Sequence, residues 1–130
     1  MPSDVMPIKV LIVDDSDIMR RAIISLLERH PEIEVVGEAD SFHQTIQMLG
    51  KVRPHVVVLD LFMGDGTNAT VTEFKLGSVG VCVVAISASN NDEVRALAEN
   101  VGATKLLDKM NLWNELIPAI KECAAGQPTG

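Results

Sequence analysis

Aromatic residues are scarce in this chain of 130 residues, which has one Trp, three Phe and no Tyr. Long apolar runs are also lacking, because stretches such as Val56 to Leu59 and Val81 to Ile86 fall far short of the ~20 residues that a membrane span requires. The N-terminal segment MPSDVMP contains no basic stretch leading into an apolar one. We therefore expect no signal peptide, no membrane association and a cytoplasmic location.

Basic residues are outnumbered as well, with 11 Lys and Arg against 18 Asp and Glu and a formal net charge of -7. Nucleic-acid binding needs clustered Lys and Arg to neutralise phosphates, so we expect no nucleic-acid binding by this chain itself. The two cysteines, Cys82 and Cys123, have neither CxxC nor zinc-ligand spacing. We interpret them as buried structural thiols, in preference to a redox or zinc site.

Five strands alternate with five helices in the apolar pattern, and the size suits one domain. The nearly continuous apolar character of most strands indicates a parallel sheet covered on both faces, whereas the second strand is more mixed and suits an edge. This order predicts an α/β domain over residues 1–126 with a doubly wound sheet, followed by a tail or linker start at 127–130. The predicted strands are Ile8–Val13, Ile33–Ala39, Val56–Leu59, Val79–Ile86 and Thr104–Leu107, and the predicted helices are Ser16–Arg29, Ser41–Lys51, Asn68–Leu76, Asn91–Val101 and Leu112–Ala125.

Polar side chains stand where these strands end. Asp14 and Asp15 follow the first strand, Asp60 closes the third, Ser87 follows the fourth and Lys109 follows the fifth. Ligand sites of open α/β sheets lie outside the carboxyl ends of the strands, so these residues should meet at one edge. Asp14, Asp15 and Ser87 could instead be ordinary helix caps, but their convergence with Asp60 favours a site.

Three adjacent carboxylates repel one another unless a cation neutralises them, which predicts a bound divalent metal. Oxygen ligands without nearby His or Cys suit Mg²⁺, with Mn²⁺ as the alternative, and Mg²⁺ commonly accompanies phosphate. A carboxylate can itself accept a phosphoryl group when a lysine and a metal offset the added negative charge.

The stretches VLIVDDS, VVVLDLFM, AISAS and GATKLLDK, in this order and spacing, resemble the receiver domain of bacterial two-component response regulators. The resemblance covers residues 8–125 and implies a CheY-like, flavodoxin-like (βα)5 fold with strand order 2-1-3-4-5. It implies phosphoryl transfer from a sensor histidine kinase or phosphotransfer protein to Asp60. It also implies a metal bound by Asp15, Asp60 and the backbone carbonyl of Phe62, with Asp14 binding largely through water.

The same resemblance makes Ser87 and Lys109 the residues that contact the phosphoryl group. It implies a signalling domain rather than an enzyme, with at most slow self-phosphorylation and self-dephosphorylation. Residues 32–39 and 124–126 look most like receivers of the LuxR or NarL type, which precede a DNA-binding output domain absent from these 130 residues. The face of the fourth predicted helix, fifth strand and fifth helix is then the candidate for a homodimer contact.

Some positions depart from the family pattern. Gly64 stands where receivers commonly have Pro, and Leu106 stands where they have a switch aromatic. Met110 follows Lys109 in place of a cis proline, so we expect a trans peptide bond. Phe62 cannot orient a hydrolytic water, and we expect it to slow loss of the phosphoryl group. Asp65, in the following GDG turn, is assigned no role in the site.

Other functions remain as alternatives. A stand-alone or pseudo-receiver would act by protein binding only. A phosphatase with an aspartate nucleophile would need an acid or base two residues after Asp60, where Phe62 stands. An FMN-binding module would need a hydroxyl-rich loop after the first strand, and Asp14 and Asp15 occupy that place.

Overall fold

The computed structural model describes residues 6–61, 80–89 and 91–126. The helix predicted over residues 68–76 and the tail at 127–130 lie outside these described residues. Labels below therefore number the described helices and strands in chain order.

Five parallel strands form one sheet in the order β2-β1-β3-β4-β5. This order confirms the doubly wound fold and the edge position predicted for the second strand. The strand expected at 104–107 is confirmed as the other edge strand, one residue longer at each end. The strand expected over 79–86 begins only at Cys82, because Gly80 has a left-handed φ of 89° that interrupts extended backbone. The strands are β1 (Ile8–Val13), β2 (Ile33–Ala39), β3 (Val56–Asp60), β4 (Cys82–Ser87) and β5 (Ala103–Asp108).

Four described helices cover the sheet, and a short 3-10 turn, Lys109–Asn111, precedes the last of them. They are α1 (Asp17–Leu27), α2 (Phe42–Val52), α3 (Asp92–Val101) and α4 (Leu112–Ala125). None of these helices combines the length and apolar character needed to cross a membrane.

The core consists of two apolar layers, one on each face of the sheet. Successive strand residues point to opposite faces, so Val10 and Ile12 belong to one layer while Leu11 and Val13 belong to the other. Buried residues of α1 and α4 complete the first layer, and buried residues of α2 and α3 complete the second. The central strands are therefore buried on both faces, as their continuous apolar sequences predict.

The two cysteines are buried as predicted, with 5% of Cys82 and 2% of Cys123 exposed. The expectation of unpaired thiols is wrong, because the structure joins them in a disulfide. Cys82 begins β4 and Cys123 lies near the end of α4, and both belong to the same apolar layer. Their separation of 41 residues conceals this proximity in the sequence.

Candidate functional site

The strand ends bring the predicted polar residues to one edge of the sheet. Asp60 is the last residue of β3 and pairs with Ile86, while Ser87 pairs with Asp108, the residue just before Lys109. Leu61 is fully buried, and its N–H donates to the Ile86 carbonyl at 3.1 Å, so the backbone beside Asp60 is held firmly.

Asp14, Asp60 and Ser87 are almost completely buried, with 1%, 3% and 1% of their surfaces exposed. Asp15 is exposed. The three aspartates can each present a carboxylate oxygen within 4.8 Å of the others. The predicted convergence of these carboxylates is therefore present in the structure.

Lys109 is the cation that faces this acidic group. Its Nζ lies 3.4 Å from Asp60 Oδ2 and donates a hydrogen bond to it, and lies 3.9 Å from Asp14 Oδ2. The lysine follows directly after β5, so its position depends on the pairing of β5 with β4.

Asp14 shows most clearly that, among the described residues, the negative charge of the site exceeds the positive charge. Its Oδ1 accepts a hydrogen bond from the Ser16 N–H at 2.9 Å, but Oδ2 has no hydrogen-bond partner among the described residues. Burial raises the pKa of Asp14 above its ordinary value, and the hydrogen bond from Ser16 lowers it only in part. The nearby Asp60 charge raises the pKa further. A divalent cation would give Asp14 Oδ2 a partner and would reduce the repulsion between the carboxylates. These oxygen donors therefore fit Mg²⁺ or Mn²⁺. The predicted backbone ligand, Phe62, lies outside the described residues.

The simpler capping interpretations do not account for these residues. Ser16 caps α1 by accepting from the Met19 N–H at 3.2 Å, which leaves Asp14 and Asp15 without that task. Asn91 caps α3 in the same way, accepting from the Val94 N–H at 2.9 Å. Ser87 lies outside that cap and accepts from the Ser89 N–H at 3.2 Å.

Arg20 is a residue whose place the sequence did not reveal. Only 13% of its side chain is exposed, whereas Arg21 is exposed as expected of a helix surface. The Arg20 guanidinium donates to the Asp14 backbone carbonyl at 2.6 Å and to Glu38 at 3.0 Å, and it also contacts Asp17. Burial opposes its charge, but the hydrogen bonds to Glu38 and Asp17 outweigh this and raise the pKa of Arg20. The one available sequence signal was Glu38, a charge near the end of an apolar edge strand.

Two of the departures from the family pattern lie within the described residues. The Lys109–Met110 bond is trans as expected, since the described chain contains no cis peptide bond. Leu106 is half-buried and packs against the layer that α2 and α3 cover. Phe62, Gly64 and Asp65 fall outside the described residues.

Comparisons with known proteins agree with this geometry. Residues 10–121 match the family described as response regulator receiver domain. The transcriptional regulatory protein LiaR of Bacillus subtilis is 32% identical over 93% of this chain and 58% of its own length. A protein-glutamate methylesterase/protein-glutamine glutaminase of Myxococcus xanthus is 33% identical over 83% of this chain but only 31% of its own length.

A solved structure, the signal receiver domain of the putative response regulator NarL from Mycobacterium tuberculosis, matches with a TM-score of 0.79 and 25% identity. The match covers 94% of this chain and 99% of that domain. The chain thus spans little more than half of LiaR and nearly all of an isolated receiver. With the five-stranded parallel fold and the acidic strand-end site, these matches confirm the expected kinship to the LuxR and NarL type, and the chain belongs to the response regulator receiver domain family.

Proposed function

We propose that Asp60 accepts a phosphoryl group from a sensor histidine kinase or a phosphotransfer protein. The observation that carries this proposal is the contact between Lys109 Nζ and Asp60 Oδ2 at 3.4 Å, beside the buried carboxylate of Asp14. An aspartate beside a lysine and a cation-binding group of carboxylates suits acyl phosphate formation. The lysine and a bound cation offset the negative charge that the phosphoryl group adds.

In the transfer, an Oδ of Asp60 attacks the phosphorus of a phosphohistidine. A new P–O bond forms as the P–N bond breaks, and the released imidazole nitrogen takes its proton from solvent. Lys109 shifts its hydrogen bond from the unphosphorylated Asp60 carboxylate to the phosphoryl oxygens. A Mg²⁺ ion held by Asp14, Asp15 and Asp60 would supply positive charge to those oxygens.

The phosphoryl group adds a charge of about -1.5 to -2 at the strand ends, and this charge drives the switch. The Ser87 hydroxyl can donate to a phosphoryl oxygen while its oxygen keeps the Ser89 N–H as a donor. Movement of Ser87 and Lys109 changes the surface formed by α3, β5 and α4. Because residue 106 is a leucine, this change proceeds without a Tyr or Phe side chain that switches rotamer.

The protein acts in this proposal as a cytoplasmic phosphoacceptor and not as an enzyme that turns over a substrate. Self-phosphorylation and hydrolysis are slow steps, and Phe62, two residues after Asp60, offers no acid or base to speed the second. A Phe62→Asn variant should lose its phosphoryl group faster than the parent, as measured by the decay of the adduct mass. An unchanged decay rate would contradict a role for Phe62.

The direct test is to incubate the protein with Mg²⁺ and acetyl phosphate and to measure its intact mass. We expect a mass increase of one phosphoryl group that is lost in Asp60→Asn. Asp40→Asn is a matched control, since Asp40 is an exposed carboxylate directly after a different strand, and it should keep the adduct. No adduct in any condition would favour a pseudo-receiver, whereas continuous release of phosphate at a high rate would favour the phosphatase alternative.

The surface for the phosphoryl donor is proposed to lie beside α1 and the start of α4. Ile18 and Met110 are 83% and 86% exposed, and Trp113 is 47% exposed. Trp113 lines a shallow groove together with Ala22, one turn after Ile18 on α1. Exposed apolar side chains near a charged site are suited to packing against the helices that carry a kinase's phosphohistidine.

Ile18→Glu and Met110→Glu should therefore slow phosphoryl transfer from a phosphorylated histidine kinase while labelling by acetyl phosphate stays unchanged. Met6→Glu is the control, because Met6 is 72% exposed but precedes β1 at the opposite end of the strands. Equal transfer rates for all three variants would place the donor surface elsewhere.

Transcription regulation through a LuxR-type DNA-binding domain is the proposed output of the whole protein. The transcriptional regulatory protein LiaR is matched over 58% of its length, which leaves room in such a protein for an output domain outside the receiver. The methylesterase relative shows that receivers also occur in proteins with other activities. This chain, with a net charge of -7, has no part in the proposed DNA contact.

A homodimer through α3, β5 and α4 is proposed for the phosphorylated state. Lys105 of β5 and Glu122 of α4 form an exposed ion pair of 3.3 Å on this face, so both charges are available to a second copy. Acetyl phosphate should increase the molar mass measured by light scattering, and Lys105→Glu should prevent the increase. A phosphorylated protein that stays monomeric would contradict this part of the proposal.

A further inference from the structure

The disulfide between Cys82 and Cys123 has no part in the phosphoryl chemistry described above. It joins the first residue of β4 to the last turn of α4, with a Cα–Cα distance of 5.8 Å. That distance lies within the ordinary range for disulfides, so the two main chains already stand where the bond needs them.

The bond lies at the end of the sheet away from the acidic site. Cys82 opens β4 and Ser87 closes it, so five residue steps, about 16 Å of extended chain, separate the sulfur pair from Ser87. What the disulfide fastens directly is the C-terminal turn of α4, which ends at Gly126.

Both cysteines are buried, but exposed residues lie next to each of them. Cys82 Sγ lies 3.4 Å from the Thr104 hydroxyl, and Thr104 is exposed on the edge strand β5. Beyond Cys123, Ala125 and Gly126 are exposed, so unwinding of this last turn uncovers Cys123 without opening the rest of the core. Helix ends unwind more readily than helix interiors, which gives small thiol reagents a route to the pair.

We propose that Cys82 and Cys123 form a reversible dithiol–disulfide site. Its oxidation state is set by the low-molecular-weight thiols and disulfides of the cell, and it holds the end of α4 in place when oxidised and releases it when reduced. Disulfides rarely persist in a reducing cytoplasm, where those that occur are usually transient or redox-sensing. A pair whose Cα atoms stand at an ordinary disulfide distance and that lies close to a helix end meets the geometric requirements of such a site.

The oxidation consumes one molecule of a low-molecular-weight disulfide such as oxidised glutathione. The Cys123 thiolate attacks it, forms a mixed disulfide and releases one glutathione thiolate. The Cys82 thiolate then attacks the Cys123 sulfur and releases the second. The two protons lost by the cysteines are taken up by the two glutathione thiolates, and reduction runs through the same steps in reverse.

The chemical test equilibrates the full 130-residue chain in buffers with graded ratios of reduced to oxidised glutathione. Free thiols are then blocked with N-ethylmaleimide in denaturant and counted by intact mass. We expect a change from zero to two labels within the range of ratios found in the cytoplasm, with full return when the ratio is reversed. Zero labels at every ratio, or two labels at every ratio, would overturn the proposal.

The structural consequence is tested by hydrogen exchange of the same samples. Reduction should speed amide exchange of Cys123 to Gly126 by about tenfold or more, because these amides at the helix end exchange through local opening of the last turn. Cys123→Ser should exchange quickly at this end in both buffers. Identical rates in the oxidised and reduced parent would overturn the fastening of α4. These measurements need no phosphoryl transfer, so they stand or fall separately from the role of Asp60.

Discussion

Asp14 is a carboxylate that folding removes almost completely from water while one of its oxygens has no hydrogen bond among the described residues. Burial without full pairing is unfavourable for a charged group, and the Asp60 carboxylate adds repulsion. Such a residue weakens the metal-free protein. A divalent cation bound in the proposed metal site would offset this cost.

Asp14→Asn should therefore stabilise the protein when divalent ions are removed with EDTA. The neutral amide has nearly the same shape and avoids the buried charge, so we expect a gain of about 1–2 kcal/mol in the free energy of unfolding, measured in urea. In saturating Mg²⁺ the gain should shrink or reverse, because the parent binds the ion more tightly. Asp15→Asn is the control: its exposed carboxylate should change metal-free stability by less than about 0.5 kcal/mol. A loss of stability in Asp14→Asn with EDTA would contradict this account.

Arg20 holds the Asp14 backbone and Glu38 with one planar group, which ties α1 to the ends of β1 and β2. A lysine keeps the charge but cannot reach both acceptors in the same geometry. Arg20→Lys should lower the free energy of unfolding by about 1–2 kcal/mol. Arg21→Lys, on the exposed side of the same helix, should stay within about 0.5 kcal/mol of the parent. Equal effects of the two substitutions would show that the Arg20 contacts contribute little.

At the scale of the helices, the same Gly→Ala substitution should have opposite effects on stability at two positions. Gly102 ends α3 with a φ of 82°, in the left-handed region, whereas Gly50 lies inside α2 with open space where a Cβ would stand. Gly102→Ala should destabilise by about 1–2 kcal/mol because of the left-handed backbone. Gly50→Ala should stabilise by about 0.5–1 kcal/mol through helix propensity. Thermal unfolding followed by circular dichroism measures both, and shifts of the same sign would contradict the assignment.

The helices also show how closely the sequence predicts the ends of the secondary structure. Three predicted starts, Ser16, Ser41 and Asn91, are one residue too early, because in the structure each is the N-cap. A cap residue has extended backbone angles while its side chain accepts an N–H of the first turn, so it belongs to the helix signal but not to the helix. The bounds of β1 and β2 were predicted correctly at both ends, whereas the start of β4 was predicted three residues too early, at Val79 instead of Cys82.

The site was predictable to the extent that it depends on strand ends. Asp14, Asp60 and Lys109 each follow or close a strand, and parallel topology alone brings them together. The Arg20 contacts and the disulfide depend instead on where helix faces lie over the sheet. Such contacts between distant parts of the chain are set by packing, which no local pattern in the sequence specifies.

At the scale of the whole molecule, the apolar layer under α1 and α4 contains the covalent link as well as the buried side chains. The disulfide closes a loop of 41 residues that contains Ser87, α3, β5 and Lys109. A link of this span restricts the unfolded chain much more than the folded one, in which the two ends already meet. The whole C-terminal third of the fold should therefore depend on the oxidation state of the pair.

Reduction of the disulfide should lower the free energy of unfolding by about 4 kcal/mol, the loop-closure value for this length. Guanidinium unfolding of the oxidised and dithiothreitol-reduced protein, followed by circular dichroism, measures the difference. The slope against denaturant should also steepen on reduction, because the unlinked chain exposes more surface. Cys123→Ser is the control, since dithiothreitol should leave its unfolding midpoint unchanged. If the parent unfolds at one midpoint in both conditions, the bond contributes no stability and the C-terminal helix is held by apolar packing alone.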